Sequence, residues 1–195
     1  MGNLDSVFRA VQECGGQPAL TARAEEIAQC THVILPGVGS FGAGMRNIRS
    51  RGLDQALQEN VRSRGVPVLG ICLGMQLLAT FGREGGETQG LGWISGEVRR
   101  LKPNGHRERI PHVGWNEVAL QQSCPLFRTI PSGKDFYFVH SYVFDCEDSR
   151  HVLGTTAYCG GFASVVGDGR IFGVQFHPEK SQRAGFELLR NFLSM

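Results

Sequence analysis

The 195 residues are enough for one domain with a sizeable core, and 41% hydrophobic with 19% charged residues is the composition of an ordinary globular chain. A net charge of +2 is too small to support nucleic-acid or membrane binding driven by bulk charge, and no apolar run approaches the ~20 residues that span a bilayer. The six cysteines (Cys14, Cys30, Cys72, Cys124, Cys146 and Cys159) stand in no CxxC pair or metal-ligand spacing, and no secretory signal precedes them. A reducing, cytoplasmic setting without disulfides is therefore expected. The basic residues Arg99, Arg100, Lys102, Arg107 and Arg109 read as a solvated loop or edge, with a charged partner as the alternative.

Leu4, Val7, Val11 and Cys14 recur at helical spacing and predict a helix over Leu4–Cys14, ended by Gly15-Gly16. A short run, Gln17 to Ala22, and a short helix around Glu25–Gln29 follow. His32-Val33-Ile34-Leu35 is a compact apolar run that stops at Pro36-Gly37, as a buried strand would. Leu53–Arg64 predicts a helix with Leu53, Ala56, Leu57 and Val61 on one face, closed by Gly65. Pro67–Ile71 predicts a second buried strand, running directly into a helix near Leu73. This alternation indicates an α/β chain with a mainly parallel sheet. After Gly90 the texture becomes β-rich, with candidate strands at Ile94–Leu101, Asn116–Leu120, Phe136–Phe144, Val152–Ala157, Ala163–Val166 and Ile171–Phe176. An amphipathic helix over Ala184–Leu193, with Phe186, Leu189 and Phe192 or Leu193 facing the sheet, ends the chain. No repeat or linker divides residues 1–195, so a single domain is expected.

The sharpest chemical signal is Gly70-Ile71-Cys72-Leu73-Gly74, a G-x-nucleophile-x-G pattern between a strand and a helix. A nucleophile on so tight a turn needs small neighbours two positions away. A helix starting behind the sulfur is expected to favour thiolate. A lone free cysteine is more often a buried structural residue, but the flanking glycines favour Cys72 as nucleophile over the other five. A thiolate attacking a carboxamide needs an acid for the departing ammonia. His177, after the apolar run Ile171–Phe176, is the candidate. Pro178 holds the chain extended, so Glu179 at i+2 points the same way and can orient the imidazole. By itself His-Pro-Glu would be a surface turn; with the Cys72 elbow a triad is the better reading. The Leu73 amide and an amide of Gly37 or Val38, in Pro36-Gly37-Val38-Gly39, are the candidate oxyanion donors.

Gly70-Ile71-Cys72-Leu73-Gly74-Met75-Gln76 together with His177-Pro178-Glu179 resembles the class I glutamine amidotransferases, which carry a GxCxGxQ elbow and a later HPE. More narrowly, five segments resemble the glutaminase subunits of imidazole glycerol phosphate synthases. They are Gly2-Asn3-Leu4, Leu35–Gly39, Pro111-His112-Val113-Gly114-Trp115-Asn116, Phe138-Val139-His140-Ser141-Tyr142 and Gln175–Ser181. The resemblance implies a flavodoxin-like α/β fold, with a mostly parallel central sheet, flanking helices and an antiparallel C-terminal half. It implies that Gln76 contacts bound glutamine, that Glu84 meets its α-amino group, and that the Ser141-Tyr142 backbone holds its amino-acid end. The Pro36–Gly39 segment would complete the oxyanion hole after a rearrangement coupled to the partner, and Asn3, Trp115 and Lys180 would face that partner. No metal or organic cofactor is needed by this chemistry.

Ammonia released at neutral pH would mostly become ammonium, so it must be delivered away from bulk water. The sequence carries no P-loop or other nucleotide fingerprint that would mark an acceptor site. The acceptor is expected on another chain, by resemblance a (β/α)8-barrel cyclase in a heterodimer, which makes imidazole glycerol phosphate and aminoimidazole carboxamide ribotide in histidine biosynthesis. Paralogues that supply ammonia for amidino sugars of surface polysaccharide are a second reading. A cysteine hydrolase of the same fold and a non-catalytic binding subunit are further ones. Family members begin with a short strand ahead of the Gly-Asn-Leu turn, whereas this sequence starts at Met1-Gly2-Asn3. The expectation is a start placed at an internal Met.

Overall fold

The computed structural model describes residues 2–105 and 108–195, with side chains from Leu4 onward. Arg107 of the basic group therefore lies outside the described residues. The first helix, α1 (Gly2–Glu13), buries Val7, Ala10 and Val11 and ends at Gly15, where φ is +89°. Residues 16–23 form no strand or helix, and α2 is the single turn Ala24–Ile27. The strand β1 (Val33–Gly37) runs through Pro36 rather than stopping before it. It lies at the sheet edge, where a missing N–H is tolerated.

A helix that the sequence pattern concealed follows. In α3 (Phe41–Ser50) the side chains of Phe41, Met45 and Ile48 are buried at helical spacing, and Ser40 caps the start by accepting from the Ala43 amide. Gly42 and Gly44 lower its intrinsic propensity. Gly44 sits against Leu77, whose methyls would lie 3.2 Å from an added Cβ. The predicted helix Leu53–Arg64 is α4 (Leu53–Gln58), which widens into a π-helical turn at Glu59–Ser63 around the buried Asn60. Asn60 donates to the Ile27 carbonyl.

The central strand β2 (Val68–Cys72) is almost wholly buried, and α5 behind it is one turn, Leu73–Gln76. Then come β3 (Phe81–Gly82), β4 (Thr88–Gln89), β5 (Gly96–Arg100), β6 (His112–Leu120), β7 (Lys134–His140), β8 (Tyr142–Cys146), β9 (Val152–Thr156), β10 (Phe162–Asp168), β11 (Ile171–Val174) and α6 (Gln182–Leu193). The main strand order is β1-β2-β11-β10-β8-β5-β3-β4, with β9 on β10 and the β6–β7 hairpin branching from β9. Pairing is parallel across β1-β2-β11 and antiparallel through β11-β10-β8-β5.

The run Phe136–Phe144 is two strands, not one. At Ser141 the chain leaves the hairpin partner β6 and joins β5 in the main sheet. Leu69, Ile71, Phe138, Phe176, Leu189 and Phe192 pack on the face covered by α1 and α6. Val68, Met75, Leu78, Met45 and Ile94 fill the other. Arg99 of the basic group pairs with Asp145 across the β5–β8 ladder.

Candidate active site

Cys72 ends β2, where its backbone turns to φ +54° and ψ −110°, a left-handed conformation rare for a side-chain-bearing residue. The flanking glycines are steric requirements. A Cβ on Gly70 would lie 2.6 Å from the Gly74 carbonyl oxygen, and one on Gly74 would lie 1.7 Å from the Leu35 oxygen. The elbow is thus wedged against β1, whose Gly37 is in register with Cys72. One expectation needs correcting. The helix behind the sulfur is a single turn, so it contributes little macrodipole, and the positive group beside the sulfur is a side chain instead.

That side chain is His177. It is 3% exposed, its amide donates to the Tyr137 carbonyl at 2.9 Å, and its Nδ1 meets Glu179 Oε1 at 2.8 Å. Glu179 reaches it through the 3-10 turn Pro178–Lys180, rather than through the alternation of an extended chain. Ser181 Oγ donates to the His177 carbonyl at 2.6 Å and accepts from the Tyr137 amide at 3.0 Å, tying the turn to β7. Gly185 lets α6 approach the turn, since a Cβ there would sit 1.9 Å from the Pro178 oxygen. Burial opposes a charge on His177, but the hydrogen bonds and charges of Cys72 and Glu179 outweigh it and raise its pKa to about 9. The remaining ring nitrogen, Nε2, is buried without a complete hydrogen bond of its own, and Cys72 is the neighbour it acts on.

These residues open into a cavity of about 600 Å³, a size usual for small-molecule sites. Its wall includes Gly37, Val38, Leu73, Gln76, Glu84, Ser141, Tyr142 and Lys180, so one pocket gathers Cys72 and His177 with most of the residues singled out in the sequence. Val38 is 63% exposed at the mouth, and Gly39 beside it holds φ +102°. Three of the residues are already engaged. Gln76 Nε2 donates to the Tyr142 carbonyl (3.0 Å) and to Gln175 Oε1 (2.9 Å), while Glu84 Oε2 accepts from the Phe41 amide at 2.7 Å. Trp115 is 47% exposed, edge-on to Tyr137, and Lys180 Nζ lies 5.9 Å from the centre of the Tyr137 ring. The side chain of Asn3 lies outside the described residues.

Three residues without an assigned role in the sequence also bear on the site: His140, which lines the pocket, and His112 and Gln175, buried behind its wall. His112 and His140 face each other across the β6–β7 ladder, with His112 Nδ1 and His140 Nε2 2.9 Å apart. Burial holds both neutral, lowering His112 to about 4 and His140 to about 3. Gln175 is fully buried and places Nε2 3.7 Å from Cys72 Sγ. Their inward alternation on β6, β7 and the end of β11 was the available signal, but alternation alone does not separate a core position from a pocket floor.

The class-I glutamine amidotransferase family profile matches residues 4–195. The imidazole glycerol phosphate synthase subunit HisH of Moorella thermoacetica is 50% identical over 98% of this chain and 90% of that protein. The protein of the same name from Dehalococcoides mccartyi is 45% identical over the whole chain and 93% of its own length. Among solved structures, a glutamine amidotransferase superposes with a TM-score of 0.77 at 19% identity, covering 99% of this chain and 93% of that one. PurLQS from Thermotoga maritima gives 0.74 at 18% identity, over 97% and 91% of the two chains. A catalytic-type elbow at the end of a parallel strand, on a fold shared with solved amidotransferases and in a sequence matched from residue 4 to its end, has one classification: the chain belongs to the class-I glutamine amidotransferases.

Proposed function

We propose that this chain is the glutaminase subunit of an imidazole glycerol phosphate synthase, releasing ammonia from glutamine for histidine biosynthesis. The observation that supports the chemistry is the buried His177–Glu179 pair set against Cys72 on the strained elbow. In this reading the Cys72 sulfur attacks the carboxamide carbon of glutamine. The oxyanion that forms is held by the Leu73 amide and an amide of Gly37 or Val38. The C–N bond then breaks as His177 gives its proton to the nitrogen, leaving a γ-glutamyl thioester and ammonia. His177 next takes a proton from water, the hydroxide adds to the thioester carbon, and the C–S bond breaks to give glutamate and free Cys72. Glu179 orients the imidazole in both halves.

The subunit names of the relatives support a partner chain. An exposed apolar face beside the pocket mouth supports the same reading. Val113 and Val139 are opposite one another on the outward face of the β6–β7 hairpin, with Trp115 opposite Tyr137. Such an apolar ladder, with the Lys180 ammonium at its edge, suits a partner docked over the cavity, for which a (β/α)8-barrel cyclase is proposed. Among the described residues no helix is long and apolar enough to cross a membrane, and a cytoplasmic heterodimer with all 195 residues in one domain completes the reading.

Glutamate release from glutamine, measured for the chain alone and with the cyclase plus its acceptor-site ligand, tests this. Low activity alone and a large rise in the liganded complex is the expected result. Cys72→Ala should abolish glutamine-dependent turnover while the complex still uses added ammonia. Loss of both activities would refute the division of labour, and full activity without a partner would refute the gating.

A further inference from the structure

The sulfur of Cys72 has a buried amide pointed at it, and the orientation of that amide is dictated from a distance. The Tyr142 carbonyl can only accept. It lies 3.0 Å from His140 Nδ1, so that nitrogen carries the ring proton and His140 Nε2 is an acceptor. His112 Nδ1–H must then donate to it, which leaves His112 Nε2 to accept from Asn116 Nδ2 at 3.3 Å. From the other side the same carbonyl accepts from Gln76 Nε2. The second hydrogen of that nitrogen goes to Gln175, which must therefore turn its oxygen toward Gln76 and its NH2 toward the sulfur. Every link has one polarity, so the amide of Gln175 cannot flip without leaving two buried donors face to face.

We propose that Gln175 is a positioning residue for the Cys72 sulfur, locked by Gln76 and by the His140–His112 pair, whose far end, Asn116, neighbours the exposed Trp115 on the β6–β7 hairpin. This rests on the glutaminase reading and deepens it. The donor at 3.7 Å fixes the direction of the sulfur before attack, weakens while the sulfur is held in the thioester, and stabilises the charge that returns to it when the C–S bond breaks. The chain joins the face offered to the partner with the reacting atom through side chains that are 6% exposed or less, apart from the partly buried Asn116 itself.

The test uses the full chain in complex with the cyclase and its acceptor-site ligand, comparing Gln175→Met and Gln175→Glu with wild type. Gln175→Met keeps the bulk and loses the donor. It should lower kcat about tenfold while KM for glutamine moves less than about twofold, because the sulfur and not the substrate is affected. Gln175→Glu still accepts from Gln76. Its carboxyl donates to sulfur when neutral and places an anion there when ionised. Its rate relative to wild type should therefore fall by ~10-fold or more from pH ~5.5 to ~8, whereas the Met ratio, which keeps the pH dependence shared with wild type, stays flat. The groups that face position 175 are Cys72 and, through it, the His177–Glu179 pair, with Gln76 and the neutral His140 on the other side. A packing role would give two flat ratios, and that result overturns the proposal, as does a wild-type kcat in both variants. If the Met variant fails to fold, the Glu ratio decides alone. Cys72→Ala run alongside separates the two readings: if it keeps glutamine turnover the glutaminase reading itself fails, and if it is dead while Gln175→Met and Gln175→Glu behave as wild type, only this inference fails.

Discussion

Gly74→Ala should separate elbow geometry from general stability. The added Cβ would lie 1.7 Å from the Leu35 oxygen and 2.8 Å from its carbon. Relief requires a displacement of about 1.5 Å, because ordinary carbon–oxygen contact begins near 3.2–3.4 Å. β1 cannot supply it freely. Leu35 is held in parallel register opposite Gly70, and Gly37 opposite Cys72. The shift therefore falls largely on the elbow, and misplacement of a reacting group by ~1 Å costs on the order of 10²-fold in rate. Overpacking should cost ~1–3 kcal/mol, or roughly 3–10 °C of melting temperature for a chain this long. Gly44→Ala in α3 is the control. There the nearest atoms are the Leu77 methyls at 3.2 Å, which can rotate away, and the helix gains up to ~1 kcal/mol from alanine. Glutamate release by the liganded complex, with thermal unfolding of both variants, is the assay. Wild-type kcat and melting temperature in Gly74→Ala would refute the claim that this glycine is demanded by the wedge between elbow and β1.

Glu179→Gln removes the anion beside a buried imidazole while keeping its shape. A hydrogen bond to a charged group is worth ~1.5–3 kcal/mol, so kcat should fall about tenfold to a hundredfold. The alkaline limb of the pH–rate profile should move below the value of about 9 set for His177, and an unmoved limb would count against the pairing. The neutral histidines govern acid stability. His112 and His140 are lowered to about 4 and about 3 when folded, against ~6.5 when unfolded, so the unfolded chain binds protons first as pH falls. The stability present above pH ~6.5 should decline at up to ~1.4 kcal/mol per pH unit per proton as pH drops toward those values. Urea midpoints at pH 7 and pH ~5.5, above the carboxylate range, read this directly; equal midpoints would refute it.

The elements that the sequence announced were those whose own pattern was complete. β2 and β11 are apolar runs between turn residues, and α6 is amphipathic over three turns. α3 escaped because Gly42 and Gly44, which lie close to Thr88 and Leu77, are the residues that argue against a helix. The break at Ser141 escaped for a different reason: residues 136–144 read as one β-prone run with no glycine or proline in it, and the change at Ser141 is one of partner strand. Cys72, His177 and Glu179 were legible as motifs. The reason Glu179 reaches His177 was not, because a 3-10 turn and an extended chain present the same letters.

What no local pattern contains is the register that makes the motifs one site. β11 lies parallel beside β2 with Val174 opposite Ile71, although the two residues are far apart in sequence. Cys72 is one residue beyond that pair and His177 three beyond, so both emerge at the same carboxyl-terminal edge of the sheet. There β1 delivers Gly37, and the Ser141 break delivers His140 and Tyr142. A slip of one residue between β2 and β11 would turn every side chain of the run Ile171–Phe176 to the opposite face. Phe172 and Val174 would leave the core they share with Leu69 and Ile71, and Gly173, which a Cβ would push into Met75 at 2.6 Å, would be replaced there by a bulky neighbour. The hydrophobic alternation that builds the core is therefore the same constraint that sets His177 against Cys72, and the reactive pair inherits its alignment from packing several residues away.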